Sequence, residues 1–449
     1  MKPKAKTALL ASALAAMFAA APTRAADLLQ VYQDALGYDA QYAAARYQRD
    51  AGLERLPQAR AGLLPNVSLG GNTTYNDNDI TFRTDPPQGG TRKFNSHAYQ
   101  VQLSQPLFRW QNWVQYGQAK IQVAQAEAQY QNAKQDLIVR VVRAYFDVLL
   151  AEVNVAVAKQ SQEAIGQQLE QAKKNFEVGV ATITDTHEAQ SRLDLATAQV
   201  IAAENDLAVK RNALRVITGK EPEVLSTVRR GAELQRPQPD DVGKWVESAE
   251  QNNYLVQIQQ MQTEVARLEV DRNRAGHYPT VDLVATYGQS AAGSSLAGVV
   301  GIGNDLTAST IGVQVNVPIY QGGAVVSRTR EAAALNDKAL QDLESARRNA
   351  AQGARQSYLG VTSGLAQVAA LRQAVVSSTS SFESNKLGYE VGVRINIDVL
   401  NAQQQLFSTK RDLSKARYDT LMAGLKLKAA AGTLTEEDLE TANRLLGTN

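Results

Sequence analysis

Cysteine is absent from the sequence. That excludes disulfides, thiolate metal sites, a cysteine nucleophile and the lipid-bearing cysteine of a bacterial lipoprotein. Histidine is nearly absent: His97, His187 and His277 are the whole complement, they stand far apart with no ligand spacing, and they read as ordinary polar residues. Neither sign of charge dominates. The balance of 47 Lys and Arg against 45 Asp and Glu is too even to indicate a nucleic-acid partner. After residue 25 long apolar runs are missing too, since the richest stretch, Val139 to Ala158, is broken by Arg140, Arg143, Asp147 and Glu152, and no transmembrane helix is expected. Gly301-Ile302-Gly303 is the nearest approach to a phosphate loop, but it lacks a third glycine and a following helix. No catalytic constellation emerges, so the chain reads as a non-enzyme with no cofactor or metal.

The first 25 residues look like an address. Lys2, Lys4 and Lys6 precede an apolar stretch from Ala8 to Ala21, and Thr23-Arg24-Ala25 resembles a signal-peptidase site. A run of ~14 apolar residues falls short of the ~20 that a membrane anchor needs. Loss of residues 1–25 removes four basic residues and no acid, leaving 43 basic against 45 acidic side chains.

Proline is missing from two long stretches, 107–221 and 319–449. Both are rich in Ala, Gln, Glu, Lys, Arg and Leu, and apolar positions recur at helical spacing, as in Ile138, Val141, Val142, Tyr145, Val148 and Leu149. Breaks at Gly179 and Gly392 divide each stretch into a helix of roughly 65 residues and one of roughly 30. The longer would span ~100 Å, which requires coiled-coil packing. Four other segments alternate with period two. Val67, Leu69, Thr73 and Tyr75 share one face; so do Tyr99, Val101 and Leu103; Val281, Leu283, Ala285 and Tyr287; and Ile311, Val313, Val315 and Val317. One apolar and one polar face over about ten residues is the pattern of a transmembrane β-barrel strand. Asn76 to Ser96 and Gly288 to Ser309 read as the connecting loops. Phe108, Trp110, Trp113 and Tyr320 lie near strand ends, where an aromatic girdle would sit.

The order of elements occurs twice. Pro65 and Pro279 are 214 residues apart, Pro106 and Pro318 212, Asp185 and Asp398 213, and Gly219 and Gly432 213. The stretch EVGVATITDTHEAQ (177–190) agrees with EVGVRINIDVLNAQ (390–403) at seven positions of fourteen. The expected division is a signal peptide at 1–25, a first repeat at 26–218, a linker at 219–245, a second repeat at 246–431 and a tail at 432–449. Four strands cannot close a barrel, because the smallest have about eight and open edges cannot face lipid. Three chains would supply twelve.

With DLLQVYQDAL from Asp27, ARAGLLPNVSLG, RAYFDVLLAE, NFEVGVATITD, PIYQGGAV from Pro318, YEVGVRINIDVL and ARYDTLMAGLKLKAAAGTL from Ala416, the chain resembles the TolC family of trimeric outer-membrane channels. The resemblance runs through the whole chain after residue 25. It implies a mixed α and β membrane protein: a trimeric twelve-stranded β-barrel, four strands per chain, continuous with a coiled-coil tunnel in the periplasm. Residues 219–245 with the tail would form an equatorial belt. The implied function is an outer-membrane exit duct for drug efflux or type I protein secretion, opened by an iris-like movement of the coiled coils. The implied partners are two further copies of the chain, a periplasmic adaptor, an inner-membrane ABC or proton-driven transporter, and outer-membrane lipid.

The resemblance also carries over a gate. Thr184, Asp185, Tyr389 and Arg394 match its linking residues, and Asp398 matches the first acid of its constriction ring, whereas Asn401 stands where the family has a second acid. Three copies of Asp398 about a three-fold axis would favour cations, and Asn401 implies weak block by divalent ions. Read from the residues alone, Asp185 and Asp398 are equally helix N-caps, with Glu188 three residues after Asp185 completing a capping-box spacing. Arg394 is either an inter-helix link to Asp185 or a solvated surface charge. A rival class is an exported trimeric coiled coil of structural or adhesive function with a β anchor. It leaves unexplained why each long helix returns to a second strand pair. A periplasmic adaptor would instead carry a compact β-domain.

Overall fold

The computed structural model describes residues 26–83, 88–221, 224–229, 233–294 and 302–447. The signal-peptide reading of 1–25 and parts of both expected loops lie outside the described residues. In chain order the elements are α1 (Leu28–Tyr38), α2 (Ala40–Leu53), α3 (Arg55–Ala61), β1 (Asn66–Phe82), β2 (Gln88–Phe108), α4 (Trp110–Glu177) and α5 (Ile183–Thr218). Next come β3 (Thr227–Val228), α6 (Val242–Asn252), α7 (Tyr254–Arg274), β4 (Thr280–Ala292), β5 (Asn304–Asn316), α8 (Ala324–Glu390), α9 (Asn396–Ala430), α10 (Glu436–Arg444) and β6 (Leu446–Gly447). The chain forms two compact units. One contains residues up to Arg46 with 130–256 and 347 onward; the other contains 47–129 and 257–346.

The proline-free stretches are helical, at 68 and 36 residues for α4 and α5 and 67 and 35 for α8 and α9. Their ends repeat as well: Gly179 and Gly392, and Gly219 and Gly432, all hold positive φ, between 72° and 81°. Among the described residues one helix, α8, contains a window long and apolar enough to cross a membrane by length and composition alone.

In the unit containing 47–129 and 257–346, the strands form one antiparallel sheet in the order β1-β2-β4-β5. The register aligns the alternating apolar residues: Val67 faces Leu103, Leu103 faces Ala285, and Ala285 faces Ile311. That row continues over a face exposed on the outer strands, Leu69 at 74% and Ile311 at 76%, and half-buried at Leu103 and Ala285 on the inner ones. The strands run further than the sequence reading places them. Residues 76–82 and 88–96, expected in a loop, continue β1 and β2, and 288–292 and 304–309 continue β4 and β5. These tips are polar, so no hydrophobic alternation marks them, but cross-strand pairing holds them, including an ion pair of 3.0 Å between Lys93 and Asp77. At the other end Arg109, just past β2, binds Asp282 on β4 through two parallel bonds of 2.8 and 2.7 Å. This fork ties the start of α4 to the sheet.

In the other unit α1 packs on α4. Leu28, Tyr32 and Ala35 meet Leu137, Ile138, Val141, Tyr145 and Leu149 in one buried cluster, joined by Tyr418 and Leu425 of α9 and Leu439 of α10. Each such large side chain contributes roughly 1.5–3 kcal/mol by leaving water. Strand β3 pairs with β6, closing residues 227–228 against 446–447, and the Tyr145 hydroxyl donates to Ser226 O at 2.8 Å. Asp39 lies between α1 and α2. Its carboxylate accepts from the Tyr42 N–H at 2.7 Å and receives both arms of Arg140, at 2.8 and 3.1 Å. Arg140 outweighs burial and holds the Asp39 carboxyl below its ordinary range.

Because the folded carboxyl is depressed, its stabilising contribution is complete above the ordinary carboxylate range and is lost as pH falls through the lower folded value. Asp39→Asn is expected to cost about 2–3 kcal/mol at neutral pH and to flatten the acid limb of stability. Urea unfolding followed by circular dichroism from pH 7 to 3 checks both; an unchanged acid limb contradicts the assignment.

Candidate functional site

The candidate gate residues gather where α4 hands over to α5 and α8 to α9, all within the unit containing 130–256 and 347 onward. The two breaks share a backbone. Gly179 and Gly392 sit at φ 76° and 81°. Beside them the Val180 N–H donates to Asn175 O, and the Val393 N–H to Gly388 O, both at 2.9 Å. These are the long-range bonds of Schellman turns, which return the chain sharply after a helix. A side chain at either glycine would meet open space, so the residue is required by φ and not by crowding.

Beyond the glycines the two breaks diverge. In the first break Thr182 is the N-cap of α5. Its hydroxyl accepts from the Asp185 N–H at 3.3 Å, and the Asp185 carboxylate accepts from the Thr182 N–H at 3.0 Å. This reciprocal box corrects the expected cap at Asp185 with Glu188 behind it. Thr182 is the residue with extended backbone, and the helix has already begun at Ile183. In the second break the N-cap is Ile395, which has no group to cap with. Asp398 is again the third helical residue and not the cap, and its carboxylate lies 3.6 Å from the Arg394 guanidinium. Within the chain Arg394 therefore pairs with Asp398 and not with Asp185, the partner expected from sequence. The duplication explains the exchange, since a shift of 213 residues sets Thr182 against Ile395 and Ala181 against Arg394. One copy holds its aspartate with a hydroxyl and the other with a guanidinium. Both members of the second pair are substantially exposed, 59% and 35%, so the pair contributes less than about 1 kcal/mol and separates easily.

The remaining candidates have distinct surroundings. Thr184 is exposed in the first turn of α5. The Tyr389 phenol accepts from Asn175 Nδ2 at 3.1 Å, tying the end of α8 to the end of α4. Asn401 is engaged by Arg192 of α5, which donates to Asn401 Oδ1 at 3.3 Å and to Gln404 Oε1 at 3.0 Å, with Glu188 at 4.0 Å. Beneath them Gln168 of α4 donates to the buried Asn396 of α9 at 2.5 Å. Thr182, Arg192, Asn175 and Gln168 are not among the residues the sequence reading selects. Only Thr182 left a local signal, the Thr-x-x-Asp spacing; the others act across helices.

The breaks also carry bare apolar residues: Val178 and Val180 are 72% and 75% exposed, Val391 and Val393 65% and 75%. In the other unit, Phe108 ends β2, and Trp110 and Trp113 open α4 beside a shallow cavity shared with Tyr278. Tyr320 follows β5 and is 86% exposed.

Ile395→Thr is expected to recreate in the second break the box seen in the first, drawing Asp398 from Arg394 and stabilising the first turn of α9 by about 1 kcal/mol. Thr182→Ala is expected to loosen α5 by a similar amount. Hydrogen exchange at 396–399 and 183–186 reads both changes, and unchanged exchange in both segments contradicts the capping assignment.

The outer membrane efflux protein family matches residues 31–220 and 245–433. The outer membrane protein TolC of Vibrio cholerae is 34% identical over 422 residues, 93% of each chain. The proteases secretion protein PrtF of Dickeya chrysanthemi is 30% identical, over 93% of this chain and 90% of its own. Among solved structures, the Campylobacter jejuni CmeC outer membrane channel superposes with a TM-score of 0.79 at 17% identity, covering 94% of this chain and 90% of that one. The Vibrio cholerae outer membrane protein VceC gives 0.76 at 18%, covering 90% and 96%. These two likenesses speak to fold alone.

Proposed function

The chain belongs to the outer membrane efflux protein family, and we propose from that footing how it acts as an outer-membrane exit duct for efflux and secretion. The observation that carries the reading is collinearity. Similarity at 30–34% identity extends over 93% of the chain to proteins named for the outer membrane and for protease secretion. The membership favours a channel over the structural or adhesive coiled coil and over an enzyme.

Three features make up the mechanism. First, the chain is one duplicated unit. The two family matches begin at 31 and 245 and end at 220 and 433, which supports repeats at 26–218 and 246–431 with 219–245 and 432–449 packed beside them. Second, three copies close one barrel. Support comes from a sheet with one apolar face and two outer strands, β1 and β5, each paired on one side within the chain, because unpaired backbone groups cannot be left in hydrocarbon. Phe108, Trp110, Trp113 and Tyr320 would then serve as the interfacial girdle. Third, the helix breaks form a gate at which an adaptor and an inner-membrane transporter engage. The exposed valines beside Gly179 and Gly392 offer apolar contact to such a partner; Tyr389 ties the hairpins of one chain through Asn175, and Asp185 and Arg394, with Thr184 beside them, would hold neighbouring chains together until it arrives, Arg394 exchanging Asp398 for a partner across the trimer. Asp398 supplies the charge of the constriction. Passing from the closed constriction to an open duct requires only the separation of exposed, weak links.

Purified protein in planar bilayers is expected to conduct ions, and Arg394→Ser combined with Asp185→Ala to raise single-channel conductance severalfold. Unchanged conductance in the double variant contradicts the gate; failure to conduct at all contradicts the duct.

A further inference from the structure

We propose that Arg192 determines the charge selectivity of the constriction by occupying the position of Asn401. The proposal rests on the gate reading, in which Asp398 and Asn401 share one face of α9, three residues apart. Arg192 belongs to neither of the repeat's matched motifs. The residue 213 positions later is Gln405, so the guanidinium exists in one copy only.

Its geometry is specific. From α5 it reaches two acceptors on successive turns of α9, Gln404 Oε1 at 3.0 Å through one terminal nitrogen and Asn401 Oδ1 at 3.3 Å through the other, while Glu188 on its own helix stands 4.0 Å away. A planar fork with several fixed donors can bridge two such acceptors; an ammonium has one point to offer. The side chain is about one-third exposed, so it retains its charge and contributes to the local field.

Permeation is affected in two ways. The Asn401 amide oxygen is turned to Arg192 and is not free to ligate a passing cation. Each chain also presents three acids, Asp185, Glu188 and Asp398, and two guanidiniums, Arg192 and Arg394, around the helix breaks. The two guanidiniums therefore offset most of the negative charge of the constriction, and Arg192 is the one that lies against position 401. An acid placed at 401 would be met by Arg192 and neutralised as an ion pair. The neutral residue at 401 and the cation at 192 are thus one arrangement, not a lost carboxylate.

Combined variants test this, with magnesium chloride as the probe of divalent block and the reversal potential in a potassium chloride gradient as the probe of selectivity. Asn401→Asp alone is expected to leave magnesium block within about twofold of the parent, whereas Asn401→Asp with Arg192→Gln tightens it at least about tenfold, equivalent to about 1.4 kcal/mol. Arg192→Gln alone shifts the reversal potential toward cations, and Arg192→Lys, which keeps the charge, does not. Identical elution of every variant in size-exclusion chromatography confirms that assembly is intact; if Arg192→Gln fails to assemble, the Asn401→Asp single variant and the Arg192→Lys reversal potential still decide. Tenfold tighter block by Asn401→Asp alone overturns the proposal. So does an unmoved reversal potential in Arg192→Gln when Asp398→Asn does move it, a result that leaves the gate standing. An Asp398→Asn variant with parental selectivity removes the gate reading and this proposal together.

Discussion

A β-sheet with an apolar face cannot end in a bilayer. Strands β1 and β5 each have one side unpaired within the chain, and hydrocarbon supplies neither donors nor acceptors for the groups left over. The rest of the structure depends on meeting that constraint. A sheet of four strands is too small to curl on its own edges, which is the ground for the proposal that copies of the chain complete it. Most of its length goes into helices, the longest of 68 and 67 residues. The Arg109–Asp282 fork, buried on the Asp282 side, fixes the turn from strand into α4 at the boundary between these two tasks.

Duplication reduces the problem to one solution used twice, and the proposed gate rests on divergence between the copies. The Schellman turns at Gly179 and Gly392 are the same in backbone. Replacing Thr182 by Ile395 and Ala181 by Arg394 changes how the following aspartate is held. Asp185 is bound into a reciprocal cap that belongs to its own helix end. Asp398 is held by an exposed ion pair that can be exchanged for another partner. A rigid copy beside a switchable one suits a moving hairpin better than two of either kind. The Asn175–Tyr389 and Gln168–Asn396 bonds add links between α4 and the second hairpin without adding charge.

Periodicity made the helices and the apolar cores of the strands legible, because burial or lipid contact on one face is written directly as period 3.6 or period 2. The strand tips were not legible. Residues such as Asp77, Asn78, Arg92 and Lys93 are polar on both faces, and they are strand because of their partners across the hairpin. Glycine breaks and the repeat exposed the place of the candidate gate. The partners there were harder to see: Arg394 takes Asp398, four residues on, in place of Asp185, and Arg192 reaches Asn401 and Gln404 from a helix more than 200 residues earlier in the chain. The cap was misplaced because Asp185 and Thr182 are both good capping residues, and only the backbone angle at Thr182 decides between them.

The central claim is that the open sheet is completed by copies of the same chain, and counting them tests it most directly. Native mass spectrometry of the protein extracted from outer membranes in mild detergent is predicted to show three chains per particle, with no stable monomer that retains its strand content. A folded monomer or dimer as the membrane-extracted species would contradict the account.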